Sequence, residues 1–152
     1  MTIRPLFLLA FALSARCFSA AAQNAGSLFI EINNITAKTG DLHITVFNSQ
    51  ATFLKDKQYI FSKRVIVDGA TPSSMRVELP NFPHGDYAIS VYHDINNNHK
   101  LDQNAIGVPT EPYALSNNVN VKWRRPSFNE CKVTFTEAAK TLAFTVKYWK
   151  ER

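Results

Sequence analysis

What this 152-residue chain has little of bounds it before any motif does. It has two cysteines, Cys17 and Cys131, and the first falls in a leader-like N-terminal stretch. If that stretch is removed, Cys131 has no partner for an internal disulfide, so the fold must rest on its hydrophobic core. The apolar run Leu6–Leu13 is eight residues long, far short of the roughly 20 that a membrane-spanning helix needs, so no transmembrane segment is expected in the mature chain. The sequence contains no G-x-S-x-G elbow, no H-E-x-x-H, no phosphate-cradling glycine loop and no cysteine pair with zinc spacing. Enzymatic activity is therefore not expected. Charge is scarce too. The formal balance is 17 − 12 = +5, with Arg4 and Arg16 both in the leader stretch. A remainder of 15 − 12 = +3 is no nucleic-acid footprint.

The first residues have the composition of an export signal: Arg4, then Leu6–Leu13, then Ala20-Ala21-Ala22 as a small-residue cleavage site. Residues 1–22 are read as a signal peptide and 23–152 as one domain, exported to the periplasm or beyond. Cys17 follows Arg16 rather than small residues, so lipidation is not expected.

Alternation dominates the remainder. Leu28, Ile30 and Ile32 share one strand face; Leu42, Ile44 and Val46 follow a Thr39-Gly40-Asp41 turn. Met75, Val77 and Leu79 form a third row, and Tyr87, Ile89, Val91 and His93 a fourth. Further rows are Val119, Val121 and Trp123; Cys131, Val133 and Phe135; and Leu142, Phe144, Val146 and Tyr148. Tyr59–Val67 is extended but irregular, as an edge strand would be. Seven or eight short strands without a long helical pattern predict an all-β, antiparallel β-sandwich of immunoglobulin-like or prealbumin-like type. Tyr87, two residues after Gly85 at the head of its strand, fits a tyrosine corner, in which the phenol bonds backbone a few residues upstream.

Asp94 to Asn118 is the most distinctive segment. Asp94, Asn96, Asn98 and Asp102 place side-chain oxygens at positions 1, 3, 5 and 9, and Lys100 can lend its carbonyl. Hard cations such as calcium are bound by loops of this type. His99 stands where an EF-hand has its turn glycine, and Ala105 where it has a bidentate glutamate. A full EF-hand is thereby excluded, and Glu111 is the nearest carboxylate that could complete a set. The expected metal ligands are thus Asp94, Asn96, Asn98, Lys100, Asp102 and Glu111. Binding would be weak, on the order of 10⁻⁴–10⁻³ M. The competing reading is a metal-free loop, because Asn and Asp favour tight turns by bonding nearby backbone and tolerating left-handed conformations.

The same residues carry a family resemblance. His93, Asp94, Asn96, Asn98, Lys100, Leu101 and Asp102, then Gly107, Pro109, Glu111, Tyr113 and Ser116-Asn117-Asn118, resemble the hallmark segment of an uncharacterised secreted bacterial family, domain of unknown function 2141. Gly40-Asp41-Leu42 and the Pro83-x-Gly85-x-Tyr87 turn agree with it as well. The resemblance implies secretion and a β-sandwich, and leaves the ligand open.

The histidines offer no evident transition-metal set. His84 and His93 lie at opposite ends of one strand, about 30 Å apart at roughly 3.3 Å per residue. His93 and His99 lack a third nitrogen or sulfur ligand; His93 is expected to pack beside the loop and His99 to be solvated at its tip. Phe128, Tyr113, Trp123 and Trp149 leave room for a carbohydrate- or protein-binding module of the cell envelope. The expectation is a non-enzymatic structural or binding module whose long loop is its functional surface.

Overall fold

The computed structural model describes residues 24–120 and 124–151. The leader read over residues 1–22 lies outside them, as do Val121 and Trp123 of the fifth row.

The chain is nearly all β, in two sheets. Strands β1 (Ala25–Asn33), β4 (Ser74–Pro83) and β8 (Ala139–Thr145) form one sheet in the order β4-β1-β8. The second holds β2 (Asp41–Phe47), β3 (Phe61–Ile66), β5 (Gly85–Asp94), β6 (Tyr113–Leu115) and β7 (Val133–Phe135). Its order is β3-β2-β5-β6, with β7 off this path and paired to the first residues of β5, Gly85 to Tyr87. The irregular Tyr59–Val67 stretch supplies the edge strand β3. One pairing departs from an antiparallel sandwich: β1 and β8 run parallel, Ile30 opposite Leu142.

Period-two burial produces this arrangement. Leu28, Ile30 and Ile32 of β1, Val77 and Leu79 of β4 and Phe144 of β8 face Leu42, Ile44, Val46, Ile89 and Val91 across one shared core. The tyrosine corner forms as read: the Tyr87 hydroxyl donates to the Pro83 carbonyl at 3.0 Å. A Cβ on Gly85 would sit 2.9 Å from that hydroxyl, which explains the glycine there.

A second, smaller cluster covers the opposite face of β5. Phe47, Phe53, Ala88, Leu115, Phe128 and Cys131 build it. This corrects three expectations. Cys131 is not in a strand with Val133 and Phe135; it closes a one-turn helix, α1 (Phe128–Cys131). Burial pushes its thiol up to about 12, so it packs as a small hydrophobe. Phe128 is core, not a surface aromatic. Val119 lies beyond a 3-10 turn over Ser116–Asn118, not in a strand, and the strand of this region is β6, six residues earlier than the expected row. A capping box fixes α1: the Ser127 hydroxyl accepts from the Glu130 amide, and the Glu130 carboxylate accepts from the Ser127 amide at 2.8 Å.

Candidate functional site

The site lies where β5 ends and the connection to β6 begins. Register places it. Asp41 of β2 is opposite Asp94 of β5, and His43 is opposite Tyr92. Leu42 and His93 point inward, so Asp41, His43, Tyr92 and Asp94 share the outer face of the sheet. The β1–β2 turn presses on this end: Gly40 has φ +90, and a Cβ there would lie 2.1 Å from the Asp94 carbonyl oxygen. His93 ties the same turn down, its buried Nε2–H donating to the Thr39 carbonyl at 2.8 Å. Its amide donates to Pro112 O at 2.9 Å, which pins the far end of the connection.

Two buried carboxylates organise the connection. Asp94 is fully buried; its Oδ1 accepts from the Asn98 amide at 3.1 Å and its Oδ2 from the His99 amide at 2.7 Å. Glu111 is also buried, and its two oxygens accept from the Ile95 and Asp102 amides at 2.9 and 3.1 Å. Asp94 and Glu111 therefore clamp the loop backbone from within, as buried polar groups must when water is excluded. Asn97 (φ 58) and His99 (φ 64) take the left-handed conformation that the tight turn needs.

The remaining expected ligands turn toward one another. The Asn96 and Asn98 side-chain amides donate to Asp102 Oδ2 at 2.7 and 2.8 Å. These two bonds, Asn98 first, hold the Asp102 carboxyl below its ordinary value. Asn98 Oδ1 accepts from the Lys100 amide at 3.1 Å, and Lys100 Nζ lies 3.9 Å from Asp102 Oδ1. All six expected residues thus belong to one network of hydrogen bonds and close charges. Beyond it, Asn104 Oδ1 accepts from the Ile106 and Val108 amides, and a bridge joins Gln103 to Pro109. The knot holds up Ile106, which is 83% exposed.

The sequence model of a family described as an uncharacterised protein conserved in bacteria (DUF2141) matches residues 30–143. The chain belongs to this family. The DUF2141 match runs from within β1 to within β8 and includes the whole Asp94–Asn118 segment. No curated protein and no solved structure matches the chain.

Two members of the site were not anticipated, Asp41 and His43. One ligand atom from each of Asp41, His43 and His99 lies within 4.8 Å of the others. His43 Nε2 is 3.6 Å from Asp94 Oδ2, and His99 Nδ1 is 3.8 Å from the same oxygen. His43 stacks flat on Tyr92, with centroids 4.7 Å apart and planes 10° apart. Burial lowers the pKa of His43, opposed chiefly by Asp94. Tyr92 is pushed up to about 12 by burial first, then by Asp94 and Glu111. An open cleft of about 490 Å³ adjoins the group, with Gly40, Asp41, Arg64, Asn97 and His99 in its wall. The signal was the alternation in Asp41-Leu42-His43, which puts the two polar side chains on one face as surely as it puts Leu42 and Ile44 on the other.

Proposed function

We propose that this protein is an exported, non-enzymatic module of the cell envelope, built as an immunoglobulin-like or prealbumin-like sandwich, which presents the Asp94–Asn118 segment to an envelope protein or glycan. The observation that carries the reading is the internal clamp. Asp94 and Glu111 spend all four carboxylate oxygens on loop amides. The loop therefore holds one shape without outside help, and its knot exposes Ile106 as a fixed apolar contact. A preordered loop loses little entropy on binding, so such a surface suits recognition. The tyrosine corner at Tyr87 supports the immunoglobulin-like assignment. Export rests on the leader-like composition of residues 1–22, and the non-enzymatic reading on the absence of a known catalytic motif.

Calcium is the second reading, favoured by one feature: Asp102, Asn96 and Asn98 converge on each other at the loop mouth. Weak binding there would use Asp102 with Asn96, Asn98, the Lys100 carbonyl, Asp94 and Glu111. Melting the purified protein with calcium, magnesium and chelator separates the two, since a bound ion stabilises by mass action. On the self-clamped reading, melting is indifferent to added calcium and magnesium, and Asp102→Ala responds as wild type does. A rise in Tm at several millimolar calcium that Asp102→Ala abolishes would replace it with a calcium-dependent module. A glycan array, run with wild type and Ile106→Asp, tests recognition. Glycan signals lost in the variant identify the loop as the binding surface; an array signal that the variant retains removes the loop from the contact.

A further inference from the structure

We infer that Asp41, His43, Asp94 and His99 form a binding site for a divalent transition-metal ion, with zinc as the ion whose geometry they fit. The inference goes beyond the recognition surface proposed above, since it concerns the outer face of the β2–β5 pair and holds whether or not the loop binds a glycan.

Spacing is the first argument. The distances from Asp94 Oδ2 to His43 Nε2 and His99 Nδ1, 3.6 and 3.8 Å, are too long for hydrogen bonds. They are close to the edge of a tetrahedron drawn around zinc with bonds of 2.0–2.1 Å, which is about 3.3–3.4 Å. Asp41 offers a carboxylate oxygen within 4.8 Å of a nitrogen of each imidazole. The group must contract around an ion, and His99, 58% exposed at the tip of a turn, is the side chain able to supply that movement.

His43 gives the second argument. Its Nε2 is buried without a hydrogen-bond partner and faces Asp94. A buried nitrogen left unmet calls for an explanation, and a metal ion supplies one. The stack on Tyr92 already fixes the plane of the ring, as outer partners of metal-bound histidines do.

Charge and donor type agree. Two carboxylates beside two imidazoles match one dication, and Arg64, 3.4 Å from Asp41 on a half-exposed side chain, can swing away. A nitrogen-and-oxygen donor set favours d-block ions, whereas calcium takes oxygen alone. The open cleft beside Asp41 and His99 gives an entry path. The two candidate ion sets share only Asp94, so they can be told apart.

The test is competition of the purified full chain with a chromophoric chelator for zinc, paired with the visible spectrum of the cobalt-loaded protein. One equivalent of zinc and a tetrahedral cobalt spectrum are expected. His99→Ala and His43→Gln should each weaken zinc on the order of 100-fold, with circular dichroism verifying that each is folded. Asp102→Ala and His84→Ala, outside the set, should bind as wild type. No saturable uptake of zinc by wild type would overturn the inference; so would wild-type affinity in either folded histidine variant, or an equal loss in His84→Ala. A calcium response abolished by Asp102→Ala bears on the loop alone, so the failure of one idea does not carry the other.

Discussion

At its first residues β5 is held by Tyr87, whose ring packs edge-on to Phe82 at 5.2 Å and whose hydroxyl reaches back four residues to Pro83. At its last residue, Asp94 and its neighbour Glu111 hold the following connection through four backbone amides. Both ends must close a long strand against solvent. The corner does so with aromatic area and one hydrogen bond, leaving no charged group buried beside the ring. The loop end does so with two buried carboxylates, each demanding specific partners. Apolar closure is forgiving, because burial has no direction; polar closure specifies one backbone path and is costly when a partner is lost. That is why the loop end, not the corner, gathers the groups able to meet a ligand.

Four substitutions put the contrast at risk. Asp94→Ala empties a fully buried side-chain position and removes the charged acceptor of the Asn98 and His99 amides; hydrogen bonds to a charged group are worth about 1.5–3 kcal/mol each, so urea melts should show a loss of about 4 kcal/mol. Limited proteolysis should then cut within residues 95–112 while the corner stays protected. A loss under about 1 kcal/mol would mean that Asp94 does not anchor the loop. Gly40→Ala attacks the same end from the other side of the turn. It combines a positive φ with a Cβ set against backbone at 2.1 Å, and a loss of about 3 kcal/mol is expected.

Tyr87→Phe removes only the corner's hydrogen bond and keeps the ring. About 1 kcal/mol should be lost, with hydrogen exchange of the Ile95 and Asp102 amides unchanged; faster exchange there would show that the two ends are coupled. The smallest effect concerns Asp86, beside the corner on the solvent side. The Thr134 hydroxyl and then Lys132 hold its carboxyl below the ordinary value of 3.8. A carboxyl whose pKa is depressed by folding stabilises above its unfolded value, and that contribution fades as pH falls below about 4. Acid titration should therefore show a slight advantage of wild type over Asp86→Asn at neutral pH that disappears once the pH has fallen through the depressed value; a gap that persists in stronger acid would assign it to something other than charge.

Much of the corner was legible in the sequence, because Pro83-x-Gly85-x-Tyr87 is a local pattern with a local bond as its outcome. The strands were legible for the same reason: Leu28-x-Ile30-x-Ile32 needs no knowledge of its neighbours. Positions set by tertiary contact were not. Cys131 and Phe128 follow a polar stretch and look like strand or surface residues, although Ser127-x-x-Glu130 carries a capping-box pattern that marks α1. β6 occupies three residues, too few to show a period, and exists only because β5 offers an edge. The six expected cation ligands do fall in one network, yet their pattern says nothing about whether oxygens point at an ion or at amides. His43 and Asp41 lie some fifty residues from Asp94 in sequence, and only the β2–β5 register reveals that they meet it.

The parallel pairing of β1 with β8 has a consequence for how the chain reaches its native state. β1 is the central strand of its sheet, and its partners come from the middle and the far end of the sequence. That sheet cannot close until residues 139–145 are available, so its assembly waits on one of the longest loop closures in the molecule, which by chain entropy places it late. Until then β1 keeps one edge open beside the apolar row Leu28, Ile30 and Ile32 and can pair with a strand of another chain. Crowded refolding should accordingly lose material to association through β1, and a chain truncated before Ala139 should aggregate rather than fold.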